Sequence, residues 1–138
     1  MRAAAPHPAA PSPRSFLAFD YGLRRVGVAT GNSLTGSAAP LRTITARGDE
    51  RLAAIGRLVE EWRPEALVVG VPLHPGGEPH ENTLRARRFG RQLAARFCLP
   101  VHEVDERYTT TEARSQGAGD LDAAAAAIIL QQYLASLA

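Results

Sequence analysis

The chain is poor in several things at once. Cys98 is its one cysteine in 138 residues, which excludes an internal disulfide and suits a reducing compartment. Cys98 itself is expected to be a small packed apolar residue on a helix. Lysine is missing altogether, and all 16 basic residues are arginine. Arginine grips phosphate in a bidentate way that lysine does not, although a GC-rich coding bias would produce the same count. The formal net charge of +2 excludes a strong global field. No apolar run approaches the roughly 20 residues that cross a bilayer, so no membrane partner is expected. Histidines are few and scattered (His7, His74, His80 and His102), and no Cys/His spacing suggests zinc. His102 reads as a structural residue on a sheet surface.

The first 14 residues hold four prolines and no large apolar side chain after Met1. Residues 1–14 are therefore expected to form a disordered tail. They also lack the apolar segment of a secretory signal, which predicts a cytoplasmic protein. The whole chain is 45% hydrophobic and 22% charged, and the remainder, 15–138, has the length of one domain with a real core.

Periodicity divides that domain. Ser15 to Asp20, Arg25 to Thr30 and about Ala38 to Thr45 read as three strands joined by short turns, an antiparallel meander. Leu52, Ile55, Val59 and Trp62 then recur at helical spacing until Pro64. Ala66 to Val71 is a continuous apolar run, suited to a strand covered on both faces. Pro72 to Pro79 is a loop. A second helix is predicted over Glu81 to Phe97, with Ala86, Phe89, Leu93 and Phe97 as its apolar stripe. Pro100 to Val104 is a fifth strand, Thr109 to Arg114 a short helical turn, and Asp120 or Leu121 to Leu137 a last helix. The order β-β-β-α-β-α-β-α predicts an α/β fold with a five-stranded mixed sheet flanked by helices, compatible with a ribonuclease H-like architecture.

Three acidic sites stand at the edges of these apolar elements: Asp20 after the first strand, Asp105-Glu106 after the fifth, and Asp122 at the start of the last helix. A carboxylate in such a place costs free energy unless something positive meets it. Asp122, Ala126, Ile129 and Tyr133 share one helix face, which should turn Asp122 toward the sheet. Ligands of parallel α/β sheets gather beyond the strand carboxyl ends, so the three sites are expected to meet there. Oxygen-only clusters select Mg²⁺ or Mn²⁺. Two such ions would serve an in-line phosphoryl displacement. Each acid also has a simpler use. Asp122 could cap its helix, Asp105 or Glu106 could pair with an arginine, and Asp20 could accept backbone hydrogen bonds in the turn at Gly22. Arg24 and Arg25 follow the first site, and Arg107, Tyr108, Thr109 and Thr110 follow the second. Arginines and hydroxyls so placed fit a nucleic-acid backbone. The arginine-rich face of the second helix could extend that surface or be an ordinary solvated face.

Taken in order, Ala18-Phe19-Asp20-Tyr21-Gly22, Arg25 to Ala29, Val69 to Leu73, Asp105 to Thr110 and Asp122 to Ala126 resemble the YqgF/RuvX family of candidate pre-16S ribosomal RNA nucleases. The likeness covers about residues 16–137. It implies a bacterial, cytoplasmic, ribonuclease H-like enzyme that processes the 5′ end of the small-subunit ribosomal RNA precursor, on RNA that can lie within pre-ribosomal particles. Asp20, Asp105, Glu106 and Asp122 fall on the family's acidic motifs, and both members of the Asp105-Glu106 pair are carried as metal ligands. The segment Arg107 to Leu121 is shorter than in many relatives and has no lysine, which bears on substrate grip.

Other functions compete. A structure-selective DNA (Holliday junction) resolvase would use the same fold and metals. Asp20-Tyr21-Gly22 also resembles the phosphate loop of actin-like ATPases, which need two such domains. A catalytically silent RNA-binding protein would keep the basic residues and dispense with Asp20. The oligomeric state stays open between monomer and weak dimer.

Overall fold

A computed structural model describes residues 14–79, 81–106 and 121–137. The expected tail, apart from Arg14, and the short helix at Thr109 to Arg114 lie outside the described residues. Five strands, β1 (Ser15–Asp20), β2 (Val26–Asn32), β3 (Ser37–Ile44), β4 (Ala66–Pro72) and β5 (Val101–Glu106), form one sheet in the order β3-β2-β1-β4-β5. The first three make the antiparallel meander, and β4 and β5 add in parallel beside β1. Three helices, α1 (Gly48–Trp62), α2 (Glu81–Phe97) and α3 (Leu121–Ser136), complete the described elements.

Strand side chains alternate between faces, and the two faces carry separate cores. Leu17, Phe19, Val26, Val28, Leu67 and Val69 pack with Ile55 and Leu58 of α1 and Ala86, Phe89 and Leu93 of α2. Phe16, Ala18, Ala66 and Val68 pack on the other side with Ile129, Leu130 and Leu134 of α3. This explains the unbroken apolar run in β4, which is buried on both faces.

The structure departs from the sequence reading in four places. β5 reaches Glu106 rather than stopping at Val104, because β4 continues beside it to Pro72 and the Leu73 amide donates to the Glu106 carbonyl at 3.0 Å. Both acids of the pair are thus inside the strand. β2 extends to Asn32, paired along its length with β1 and β3. Trp62 is 40% exposed, whereas Leu52, Ile55 and Val59 pack on the core as their spacing predicts, joined by buried Arg51 and Leu58. Cys98 is not a packed helical residue: it is exposed just beyond α2, in the left-handed region at φ 54°, where its amide donates to Ala94 and ends the helix.

Candidate active site

Asp20 is the last residue of β1, and alternation turns it with Ala18 and Phe16 toward α3. Its partners across the ladder are both glycines, Gly27 on β2 and Gly70 on β4. Each glycine leaves a trough that another acidic residue fills. A Cβ on Gly27 would lie 1.8 Å from the Asp122 carbonyl oxygen and 2.1 Å from its carbon. A Cβ on Gly70 would lie 2.4 Å from Ile129 Cδ1 and 2.9 Å from Glu106 Oε2. The first turn of α3 therefore rests on one side of Asp20 and the Glu106 carboxylate on the other, each about one strand spacing (~4.8 Å) away across the sheet. Asp20, Glu106 and Asp122 are 6%, 5% and 8% exposed, so all three acids are held largely away from water. They gather at the carboxyl ends of the parallel strands, where the sheet leaves its ligand crevice.

The acidic pair on β5 divides between faces. Glu106 is buried on the α3 face, whereas Asp105 is exposed and lies with Val101 and Glu103 on the side of α1 and α2. Arg25 is paired as well as exposed: its Nε lies 3.0 Å from Asp122 Oδ2, while its side chain is 61% open to solvent. Arg24 is exposed beside it. Arg107, Tyr108, Thr109 and Thr110 lie outside the described residues. Among the described residues, no three histidine, cysteine or carboxylate side chains form a group ready to hold a metal ion. The acids share a face and an end of the sheet, and Arg25 neutralises one of them. The donor set is all oxygen, which fits a hard divalent cation, and the glycine troughs let the first turn of α3 and the Glu106 carboxylate approach the strands on either side of Asp20.

Two features of the site are invisible to a search for acids. Gly27 and Gly70 are one; their signal is only that each interrupts an apolar strand. Arg51 is the other. Arg51 is 7% exposed, and its guanidinium donates to the carbonyls of Ala46 at 2.9 Å, Gly22 at 3.1 Å and Leu23 at 3.0 Å and lies 5.7 Å from the Tyr21 ring centroid. Burial lowers its pKa, with Tyr21 opposing the shift. This buried cation pins the turn that follows Asp20. Its helical spacing to Ile55 and Leu58 places it on the inward stripe of α1, a signal that was available in the sequence.

The strand order, the mixed pairing and the acids at the strand ends define a ribonuclease H-like domain. The same fold occurs in T. thermophilus RuvC, solved in complex with a Holliday junction substrate, which aligns with a TM-score of 0.58 and 16% identity over 89% of this chain and 95% of that one. The RuvX family, described as Holliday junction resolvase, matches residues 14–136, and the chain belongs to this family. A relative from Polaromonas sp., described as a candidate pre-16S rRNA nuclease, is 62% identical over 98% of this chain and 97% of its own length. One from Albidiferax ferrireducens with the same description is 61% identical over 90% of this chain and 80% of its own. Among the described residues no helix is long and apolar enough to cross a membrane.

Proposed function

We propose that this protein is a cytoplasmic, metal-dependent phosphodiester hydrolase that processes the 5′ end of pre-16S ribosomal RNA, free or within pre-ribosomal particles. The observation that carries the reading is the placement of Glu106 and Asp122 on either side of Asp20, over Gly70 and Gly27. The description shared by relatives 61% and 62% identical favours RNA as substrate. Asp20, Glu106 and Asp122 would hold Mg²⁺ or Mn²⁺; Asp105 faces away and is left out of the set. A divalent cation held there supplies Lewis acidity for water activation and for charge on the leaving oxygen. The protein's own part is to exclude bulk water around buried carboxylates, to fix the turn after Asp20 through Arg51, and to offer Arg24 and the segment Arg107 to Thr110 to the phosphate backbone. A second reading, a Holliday junction resolvase, draws on the description of the family.

The deciding experiment presents purified protein with end-labelled precursor RNA and with a synthetic four-way DNA junction, each in Mg²⁺ and in Mn²⁺. Cleavage near the mature 5′ end of the RNA by the native protein and none by Asp20→Asn is expected. Preferential cutting of the junction would replace the RNA reading with the resolvase one.

A further inference from the structure

Behind the sheet end that carries Asp20, on the α2 side, lies a cleft of about 240 Å³ lined by Tyr21, Leu23, Arg85, Arg88, Phe89 and Gln92. Arg85, Arg88, Phe89 and Gln92 follow one another at i, i+3, i+4 and i+7, so a single stripe of α2 forms one wall. The opposite wall is the turn immediately after Asp20. Its Tyr21 ring is held by Phe89, centroids 5.0 Å apart, and by the Arg51 guanidinium. Arg51 also ties down the backbone of Gly22 and Leu23, so this wall is fixed before any ligand arrives. Leu23 is 55% exposed, an apolar side chain left in solvent at the mouth. Arg85 shares its charge with Glu81 at 3.6 Å. Arg88 is exposed and makes no ion pair among the described residues.

A preformed aromatic and apolar wall facing two guanidinium groups is the chemistry that receives an unstacked base and its phosphate. The cleft is smaller than sites for drug-sized ligands, which begin near 300 Å³, so it suits one nucleotide rather than a stretch of chain. Duplex nucleic acid cannot enter it without unpairing. Asp20 and Tyr21 are consecutive and face opposite sides of the sheet, so the acids and this cleft flank one sheet end, and a strand passing over that end engages both.

We propose that the cleft between Tyr21 and α2 is a nucleotide subsite that takes one unpaired nucleotide of the RNA strand beside the scissile phosphate, its base against Tyr21 and its phosphate on Arg88 and Arg85. The subsite deepens the nuclease reading and rests on it for the identity of the strand. The test is fluorescence anisotropy in EDTA with a labelled, unstructured oligoribonucleotide. Arg88→Gln is expected to weaken binding about fivefold and to lower the salt dependence by roughly one released counterion. Arg96→Gln, the same change at the far end of α2, should alter binding less than twofold. Tyr21→Leu should cost about tenfold, and Tyr21→Phe should restore native binding, because only the ring is needed. On a fully paired RNA of the same sequence, Tyr21→Leu should matter less than twofold. Equal binding by the native protein, Arg88→Gln and Arg96→Gln would overturn the proposal, as would equal loss on paired and unpaired RNA after Tyr21→Leu. Because these readings are made without metal, they are separate from cleavage. A native protein that binds in this pattern but cuts nothing in any divalent ion would strike the nuclease assignment and leave the subsite standing.

Discussion

Arg25 Nε stands 3.0 Å from Asp122 Oδ2, an ion pair whose cation is 61% exposed and whose carboxylate is only 12% exposed. The pair occupies one of the acids proposed to hold the metal. Arginine and a divalent cation therefore compete for the same oxygen. In the absence of metal, Arg25→Gln should destabilise the protein by about 1 kcal/mol, the modest value expected where one partner is open to solvent. That corresponds to a melting temperature roughly 3 °C lower. In saturating Mg²⁺ or Mn²⁺ the deficit should shrink, because the cation then neutralises Asp122. Thermal melts of both proteins with and without ion would show this, and an identical deficit in both conditions would mean that the ion does not reach Asp122.

The split of the β5 acids between faces makes a sharper prediction. Asp20→Asn and Glu106→Gln should each reduce cleavage by at least about a hundredfold, the scale of removing one preorganised charge-stabilising group. Both variants should stay folded. Without metal, Asp20→Asn should melt slightly higher than the native protein, since it removes one of the buried like charges. Asp105→Asn, exposed on the far face, should cleave within about threefold of native. Loss of activity in Asp105→Asn with retention in Glu106→Gln would reverse the assignment.

The two glycines beside Asp20 should respond differently to the same added methyl. In Gly27→Ala the Cβ meets backbone, 1.8 Å from the Asp122 carbonyl oxygen. A helix end cannot rotate away, so α3 must lift from the sheet. The expected cost is about 3 kcal/mol or more, at the upper end of overpacking, read as a lower denaturant midpoint. In Gly70→Ala the contacts are side-chain ends, Ile129 Cδ1 at 2.4 Å and Glu106 Oε2 at 2.9 Å. These can move, so stability should fall by only about 1–2 kcal/mol, while cleavage falls with the displaced Glu106. Equal stability losses in the two variants would contradict this account of the troughs.

Much of this arrangement was legible in the chain. Continuous burial of β4 follows from residue type alone, and the stripe Ala86, Phe89 and Leu93 marked the buried face of α2. The acids announced themselves because carboxylates at the ends of apolar strands are costly. What escaped was relational. Alternation could not separate Asp105 from Glu106 until the strand was known to run past Val104, and that depends on β4 extending alongside to Pro72. Gly27 and Gly70 have no side chains to read, and their importance lies in what approaches them. Arg25 reads in the chain as an exposed arginine beside an acidic motif, and its ion pair with Asp122 depends on the fold bringing the start of α3 to the turn after β1.

His102 supplies a pH signature independent of catalysis. Its ring stacks on Tyr133, centroids 5.2 Å apart and planes 19° apart, and its buried Nε2 has no hydrogen-bond partner among the described residues. Desolvation lowers its pKa below the usual 6.5, with the positive charge of Arg14 adding to the effect. The folded protein therefore resists a proton that the unfolded chain accepts. Stability from this residue is fully present above about pH 6.5 and is lost as pH falls from there toward the lowered folded value. His102→Phe keeps an aromatic ring against Tyr133 and removes the titration. Urea midpoints measured from about pH 8 to pH 5 should fall more steeply for the native protein than for His102→Phe. Every other ionisable group is common to both proteins and cancels in the comparison. Parallel curves would show that His102 takes up its proton as readily in the fold as outside it.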